Sequence, residues 1–247
     1  MVNEQGLASY CQDCGLCAAA ADGPPAGTES DLARIIAGEI IKTVPGRRTD
    51  AAEEKKIPLG VSNRHAHLTE TTFRELFGPD ALLEKYRDLY QAGEFASRQT
   101  ITIAGNKMRA IQNLRILGPF RSYDQVELSL TDAIQLGINP PVRNSGDLEA
   151  AAPLTLVGPR RSVYIENCAI VAGRHIHMSG QDAVVFGVAD GDRCKVRIGG
   201  EKGIIFENVL VRINDAWNLH LHLDTDDANA ANVRCNMSAE FIGKMEA

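Results

Sequence analysis

All six histidines of the chain stand in pairs separated by a single residue. The pairs are His65 with His67, His175 with His177, and His220 with His222. Residues two apart on a β-strand project from the same face, so each pair aims two imidazoles at one point. Neutral imidazole binds zinc, copper, iron and nickel. One such pair is as readily an ordinary hydrogen-bonded feature, but three pairs that use every histidine predict metal binding on strands.

An internal repeat relates two of these pairs. Residues 64–69 (RHAHLT) match residues 174–179 (RHIHMS) at an offset of 110. Further along, residues 113–116 (NLRI) match residues 208–211 (NVLV) at an offset of 95, and in that frame Glu127 is equivalent to His222 and Gln125 to His220. Each half of the chain is therefore predicted to supply one histidine pair and one ligand from a later strand.

The repeat predicts two sites of three protein ligands each. One site is His65, His67 and Glu127, and the other is His175, His177 and His222. Three ligands leave a coordination position open for water or substrate, which is typical of catalytic rather than structural zinc. His220 is equivalent to Gln125, a poor ligand, so we expect it to support the site or the fold without binding metal.

From Ile57 onward the sequence is typical of a mainly β protein. Short apolar runs rich in β-branched residues alternate with Gly, Pro, Asn and Asp at intervals of roughly ten residues. Many short strands must close on themselves to lose their edges, which predicts two β-barrels with short capping α-helices after Thr69, Ser179 and Thr225. The predicted strands are residues 100–104, 108–116, 125–130, 154–157, 162–165, 169–172, 193–198, 203–206, 209–213 and 219–223.

The first 56 residues differ from the rest and form a predicted N-terminal extension. Two linkers flank an amphipathic helix at about residues 31–44, which we expect to dock on a partner in preference to its own barrels. Ahead of it, Cys11, Cys14 and Cys17 have a spacing that suits zinc or an iron–sulfur cluster, but a fourth ligand is missing locally. A flexible cysteine-containing segment is the alternative.

Composition excludes several classes of partner. A net charge of -6 and a pI of about 5.6 disfavour nucleic-acid binding. No apolar run approaches the roughly 20 residues of a membrane span, and the N-terminus lacks the features of a signal peptide, so a cytoplasmic protein is expected. Cys168, Cys194 and Cys235 stand alone and are expected to be small buried side chains.

Six segments together resemble a known family. They are residues 61–67 (VSNRHAH), 117–119 (LGP), 125–127 (QVE), 141–143 (PVR), 174–178 (RHIHM) and 222–226 (HLDTD). Over about residues 57–240 the chain resembles the PduL-type phosphotransacylase, the phosphate propanoyltransferase of bacterial microcompartments. The resemblance implies transfer of a short acyl group from CoA to inorganic phosphate, with propanoyl the default and acetyl the nearest alternative.

The resemblance also implies an architecture, cofactors and partners. The first barrel would contain residues 57–63 and 168–241, and the second, with a connecting segment, residues 64–167. Two zinc ions would occupy the two predicted sites. Arg121 would meet phosphate, and Ser62, Arg115 and Asn229 would lie in the CoA pocket. The N-terminal helix would direct the enzyme into the microcompartment lumen through shell or cargo proteins, and a homo-oligomer is compatible with the sequence.

The chemistry leaves alternatives open. Zinc could stabilise the CoA thiolate or polarise the thioester carbonyl, and Arg143 or Arg174 could either neutralise developing charge or form structural ion pairs. No G-x-S-x-G motif is present, which favours direct transfer over an acyl-enzyme. A zinc-dependent acyl-CoA hydrolase and a non-catalytic zinc-binding shell protein are the alternative functions.

Overall fold

The structure is a computed structural model that describes residues 55–233 and 237–246. Within these ranges the strands are β1 Lys56–Ser62, β2 His65–His67, β3 Lys85–Asp88, β4 Phe95–Ala104, β5 Ala110–Gly118, β6 Gln125–Leu128, β7 Val142–Arg143, β8 Ala152–Val157, β9 Ser162–Ala172, β10 His175–Met178, β11 Arg193–Ile198, β12 Ile204–Ile213, β13 His220–Asp224 and β14 Ser238–Lys244. The helices are α1 Glu70–Phe77, α2 Leu130–Leu136, α3 Gly180–Phe186 and α4 Thr225–Ala230.

The C-terminal barrel consists of β1 and β10 to β14. Its strands close in the order β1, β13, β10, β12, β11, β14, and β14 returns to β1. Alternate residues face inward, so side chains such as Ile57, Ile176, Val196 and Leu221 are fully buried in one apolar core. Because β1 pairs with β13 and β14, the first strand of the described residues completes a barrel made otherwise of the last third of the chain.

The N-terminal barrel consists of β2, β4, β5, β6, β8 and β9. These strands pair in the order β4, β5, β2, β6, β9, β8, and β8 also pairs with β4, which closes the ring. β3 is added alongside β4, and β7 alongside β9. Ala66, Ile116, Val126 and Leu156 lie in its separate apolar core.

The two barrels repeat the same strand pattern around the histidine pairs. β2 is parallel to β5 and antiparallel to β6, as β10 is to β12 and β13. The central residue of each pair, Ala66 or Ile176, is fully buried in its core, so the flanking histidines project to the opposite face. Glu127 lies opposite His65 in the register, and His222 lies opposite His175. These are the equivalences that the offset of 95 predicts.

Two β-barrels with short helices confirm the predicted fold class. Several boundaries differ from the predictions. Residues 162–165 and 169–172 were predicted as two strands but lie in one, β9, and the two strands predicted at 203–206 and 209–213 are replaced by one, β12, which begins at Ile204. In β12 the chain passes through Asn208 at φ 57°, and Asn113 repeats this at φ 59° in β5. Asparagine tolerates this left-handed conformation, which interrupts the apolar pattern while the strand continues.

Helix α2 was missed because residues 125–130 were expected to remain extended. Ser129 instead caps the helix: its side chain accepts from the Asp132 amide, and the Asp132 side chain accepts from the Ser129 amide. This reciprocal capping box turns the chain into a helix directly after Leu128. β3, β7 and β14 were also not predicted, since their sequences lack a run of β-branched residues.

The structure changes two of the expected barrel limits. β9 pairs with β6 and β8, so residues 168–172 lie in the N-terminal barrel, whereas they were assigned to the barrel that contains β1. β1 begins at Lys56, and the Lys55 carbonyl accepts a hydrogen bond from the Phe241 amide, so both lysines contribute to the C-terminal barrel. The predicted helix at 31–44 and the cysteines Cys11, Cys14, Cys17 and Cys235 lie outside the described residues.

No helix in the described ranges has the length and apolar character that a membrane crossing needs.

Candidate metal-binding active site

The first cluster lies in the N-terminal barrel and contains His65, His67 and Glu127. One potential ligand atom from each lies within 4.8 Å of the others, and all three side chains are buried. His65 Nδ1 is 2.8 Å from the Asn63 carbonyl oxygen, to which it can donate a proton. That contact leaves His65 Nε2 directed at the cluster, where it is 3.5 Å from Glu127 Oε2.

The protonation states of His67 and Glu127 suit a cation. Burial and the neighbouring His65 lower the pKa of His67 to about 3, so its imidazole is neutral at neutral pH. Burial raises the pKa of Glu127, but His65, His67 and the Ser145 hydroxyl outweigh it, so the net shift is downward and the carboxylate is ionised. Neutral imidazole and ionised carboxylate are the forms that bind metal. Among the described residues, His67 Nδ1 is buried without a hydrogen-bond partner.

Gln125 holds Glu127 in place. Its amide nitrogen donates to Glu127 Oε1 at 2.7 Å and to the Ser145 hydroxyl at 2.9 Å, and its amide oxygen accepts from the Gly146 backbone at 2.8 Å. Gln125 is fully buried, so these bonds satisfy the nitrogen and oxygen of its own side-chain amide, which water cannot reach. Contacts of this kind fix the direction of a metal-binding carboxylate.

The second cluster lies in the C-terminal barrel and contains His175, His177 and His222. Their ligand atoms also lie within 4.8 Å of one another. His175 Nδ1 is 2.9 Å from the Gly173 carbonyl oxygen, which repeats the contact of His65. Burial lowers the pKa of His175, lowers that of His177 to about 3, and takes that of His222 well below its usual value. Both ring nitrogens of His177 are buried without hydrogen-bond partners in the part of the chain that the structure describes.

Aromatic rings surround the second cluster. Trp217 stacks on His177 with ring centroids 4.1 Å apart, and Tyr90 stacks on His220 at 4.0 Å. His220 lies outside the group of three, with its Nδ1 3.3 Å from His222 Nε2. Gly60 on β1 makes room for it, because a Cβ at Gly60 would stand 2.4 Å from His220 Cε1.

These two clusters fit metal ions by the chemistry of their donors. Each offers three side chains whose donor atoms lie close together, and ring nitrogens without a hydrogen-bond partner among the described residues occur in both. Two imidazoles with one carboxylate, or three imidazoles, are donor sets found at catalytic zinc with an open position. The described residues that could hold metal are therefore the six that the sequence predicts.

Both clusters open into one cavity of about 1170 Å³ that the two barrels line together. The other predicted site residues, Ser62, Arg115, Arg121 and Asn229, also line it. The Arg121 guanidinium donates to Glu94 Oε1 at 2.5 Å, and it lies close enough to His67 to lower the pKa of that imidazole. Arg115 donates to the backbone oxygens of Ser97 and Arg98, both at 3.1 Å.

Arg143 and Arg174 do not line this cavity. Arg174 pairs with Asp227 at 2.9 Å and Arg143 with Asp147 at 3.6 Å. Arg64 and Asp132 form the corresponding ion pair of the first half. The placement favours the structural alternative for Arg143 and Arg174.

Sequence reasoning missed four residues around the clusters: Tyr90, Glu94, Arg212 and Trp217. The repeat contains a signal for Arg212. The offset of 95 aligns it with Leu117, so the second half has a charged residue where the first half has an apolar one. Tyr90 and Glu94 come from the segment between β3 and β4, far along the chain from the residues they contact. No local pattern marks them.

Comparison with known proteins gives one consistent result. A model of the family described as phosphate propanoyltransferase matches residues 58–234. Relatives named phosphate propanoyltransferase include that of Lachnoclostridium phytofermentans, 47% identical over 75% of this chain and 87% of the relative. Those of Thermotoga maritima (46% identical; 72% and 85%) and Salmonella typhimurium (43% identical; 78% and 91%) are also similar. The matched range includes both clusters and most of the residues that line the cavity.

Proposed function

The chain belongs to the phosphate propanoyltransferase family, and from that premise we propose that it converts propanoyl-CoA and inorganic phosphate to propanoyl phosphate and CoA. Acetyl-CoA is the nearest alternative donor, because one methylene in an apolar pocket is worth only about 1 to 3 kcal/mol. The proposal includes two zinc ions and direct transfer between the bound substrates.

One observation carries the proposal: two metal-suited clusters and several arginines face the same cavity. Phosphate and CoA are both anionic, and a cavity lined by cations can hold them side by side. Arginine suits phosphate especially, since its planar guanidinium donates two parallel hydrogen bonds to the oxygens. The cavity volume of about 1170 Å³ leaves room for a ligand as large as CoA.

His65, His67 and Glu127 would hold one zinc ion, and His175, His177 and His222 the other. A zinc ion held there would act as a Lewis acid. It would either polarise the thioester carbonyl or stabilise the departing thiolate. The protein fixes the direction of these ligands through the Asn63 and Gly173 carbonyls and through Gln125.

Arg121 is the proposed phosphate-orienting residue. It lies beside the first cluster, and its ion pair with Glu94 holds the guanidinium at the cavity wall. Ser62, Arg115 and Asn229 are the proposed CoA contacts, and both barrels contribute to this group. Bonds to the Ser97 and Arg98 carbonyls orient the Arg115 guanidinium without neutralising it.

Direct transfer needs no covalent enzyme intermediate. A phosphate oxygen bonds to the carbonyl carbon, the carbon–sulfur bond breaks, and sulfur leaves with the electron pair as the CoA thiolate. Cys168 and Cys194 are buried, and burial raises the pKa of each thiol to about 12, so neither is a nucleophile for this chemistry. Initial-rate lines that intersect when both substrates are varied are expected; parallel lines would indicate an acyl-enzyme.

The deciding experiment measures CoA release from propanoyl-CoA, with and without phosphate. It compares zinc-loaded protein, chelated protein, Glu127→Ala and the control Glu149→Ala, which removes an exposed carboxylate of the same barrel. We expect release that depends on phosphate, disappears on chelation and in Glu127→Ala, and persists in the control. Release without phosphate would indicate a hydrolase, and tightly bound zinc without release would indicate a non-catalytic scaffold.

We also propose that the protein works in the lumen of a bacterial microcompartment, with the helix predicted at 31–44 as its contact to shell or cargo proteins. Because Lys55 and Lys56 contribute to the C-terminal barrel, the appropriate deletion removes residues 1–54. Activity should remain and co-sedimentation with shells should be lost. A truncated protein that still sediments with shells would refute the role of this segment.

A further inference from the structure

Four of the five arginines that line the cavity, Arg64, Arg115, Arg121 and Arg212, differ in what balances their charge. Arg64 pairs with Asp132, Arg121 pairs with Glu94, and Arg115 donates to two backbone carbonyls. Arg212 is different. Among the described residues, no ion pair or side-chain hydrogen bond includes its guanidinium, which lies over the Trp217 ring at 5.3 Å from the centroid. A cationic group on a cavity wall without a carboxylate partner is suited to an anionic ligand.

Arg212 belongs to the second cluster by position. It lies on β12, beside His177 of β10 in the parallel register. Its charge is near enough to lower the pKa of His175, His177 and His222. Trp217 contacts both His177 and Arg212: its ring stacks on the imidazole with centroids 4.1 Å apart, and the guanidinium lies over the same ring at 5.3 Å from its centroid. One indole therefore fixes the arginine and the imidazole relative to each other.

The equivalent position in the other half shows that the fold does not require an arginine there. Leu117 lies beside His67 in the same parallel register, and it too lines the cavity. An arginine whose only role was structural would be expected to have an acidic partner, as Arg64 and Arg174 do. The cavity carboxylates Glu94 and Asp132 already pair with other arginines, and Asp226 accepts from the Thr131 amide.

We propose that Arg212, positioned by Trp217, is a substrate-binding residue that holds a phosphate group beside the second cluster. This inference rests on the proposed function, because the reaction supplies two sources of that chemistry: inorganic phosphate and the phosphates of CoA. Arg212 donates hydrogen bonds to the phosphate oxygens and balances their charge. Trp217 is a positioning residue that acts through the guanidinium.

The test measures KM for phosphate and KM for propanoyl-CoA in Arg212→Gln, Arg212→Lys and Trp217→Leu. The control is Arg197→Gln, an exposed arginine of the same barrel that pairs with Glu240 outside the cavity. A charge-assisted contact of this kind is worth roughly 10- to 100-fold in affinity, so one KM should rise by that factor in Arg212→Gln. Arg212→Lys should show a smaller rise, because lysine keeps the charge but not the planar pair of donors.

The two KM values together identify which substrate supplies the phosphate group that Arg212 holds. A rise in KM for phosphate alone assigns inorganic phosphate, and a rise in KM for propanoyl-CoA alone assigns CoA. The apparent Kd of inorganic phosphate or of CoA, from protection against thermal unfolding, should rise with the same KM. If neither KM nor either Kd changes in an Arg212 variant of normal zinc content and stability, the inference is wrong while wild-type activity still supports the proposed function. Wild-type protein without phosphate-dependent release would instead refute the proposed function itself.

Discussion

The N-terminal and C-terminal barrels place their clusters on equivalent strands, but the third donor is Glu127 in one and His222 in the other. With a divalent cation, two imidazoles and a carboxylate leave a net charge of about +1, whereas three imidazoles leave about +2. The shared register thus fixes where a cluster forms, and one residue at that register sets its charge. Arg212, which has no acidic partner among residues 55–233 and 237–246, adds positive charge beside the cluster of three imidazoles.

The two clusters also differ in how they are supported. Gln125 holds Glu127 through hydrogen bonds within the N-terminal barrel. At the equivalent place His220 stacks on Tyr90, which comes from the other barrel, and Gln91 exchanges hydrogen bonds with Asn218 beside it. The first cluster is therefore internal to its barrel, while the surroundings of the second depend on contact between the barrels.

Removal of the third donor of either cluster, Glu127 or His222, should have the largest effect on zinc content and activity. In Glu127→Ala and His222→Ala we expect zinc content to fall from about two to about one per chain, and kcat/KM to fall by more than the roughly 10- to 100-fold that loss of an outer contact costs. Zinc content by elemental analysis and CoA release would measure both. Equal zinc content in wild type and a variant would show that the altered cluster does not bind zinc.

Changes to the supporting residues should have smaller and unequal effects. Gln125→Leu removes three hydrogen bonds, those to Glu127 Oε1, the Ser145 hydroxyl and the Gly146 amide, so zinc affinity at the first cluster should fall by roughly 10- to 100-fold. His220→Gln makes the second half resemble the first and should weaken zinc less, because His220 stands outside the group of three. Competition with a chelator measures both, and an equal loss in the two variants would contradict the difference in support.

Gly60→Ala tests the packing beside the second cluster. The new methyl would stand 2.4 Å from His220 Cε1, and Tyr90 restricts the movement of that ring. Overpacking of this kind costs typically about 1 to 3 kcal/mol, measurable as a lower free energy of unfolding in urea. Gly199→Ala is the matched control in the same barrel, because no atom of the described residues outside its chain neighbours lies within 4 Å of its Cβ position. An unchanged stability of Gly60→Ala would show that His220 is free to move.

We expect the smallest effect from a thiol reagent, because the buried cysteine of each barrel should not react in the native protein. Cys168 on β9 and Cys194 on β11 are fully buried, and burial raises the pKa of each thiol to about 12. At pH 8, four units lower, about one thiol in ten thousand would be ionised. Iodoacetamide should label neither in native protein and both after unfolding, as read by peptide mapping. Native labelling of one cysteine alone would show that its barrel opens more readily.

The internal repeat predicted the ligand positions of both clusters. Residues that reach the clusters from distant segments of the chain were not predicted. The equivalence of Glu127 with His222 was readable because both lie on strands at one offset from matched asparagines, Asn113 and Asn208. Helix α2 was hidden because the capping box at Ser129 follows an apolar strand without a break. Tyr90 and Glu94 reach the clusters only after the barrels pack together, and pattern in a single segment does not record such contacts.

The place of β1 has a consequence for how such a molecule can be divided. β1 and β9 each lead directly into a histidine-pair strand, yet β1 pairs with β13 and β9 pairs with β6, so each half gives its leading strand to the other. A single half, cut out as a domain, would lack one strand of its ring and would have to take it from a second copy. Two identical copies would then form a strand-swapped homodimer with two identical clusters. Joined in one chain, the halves keep the exchange but are free to diverge, which lets one cluster carry a carboxylate and the other a third imidazole.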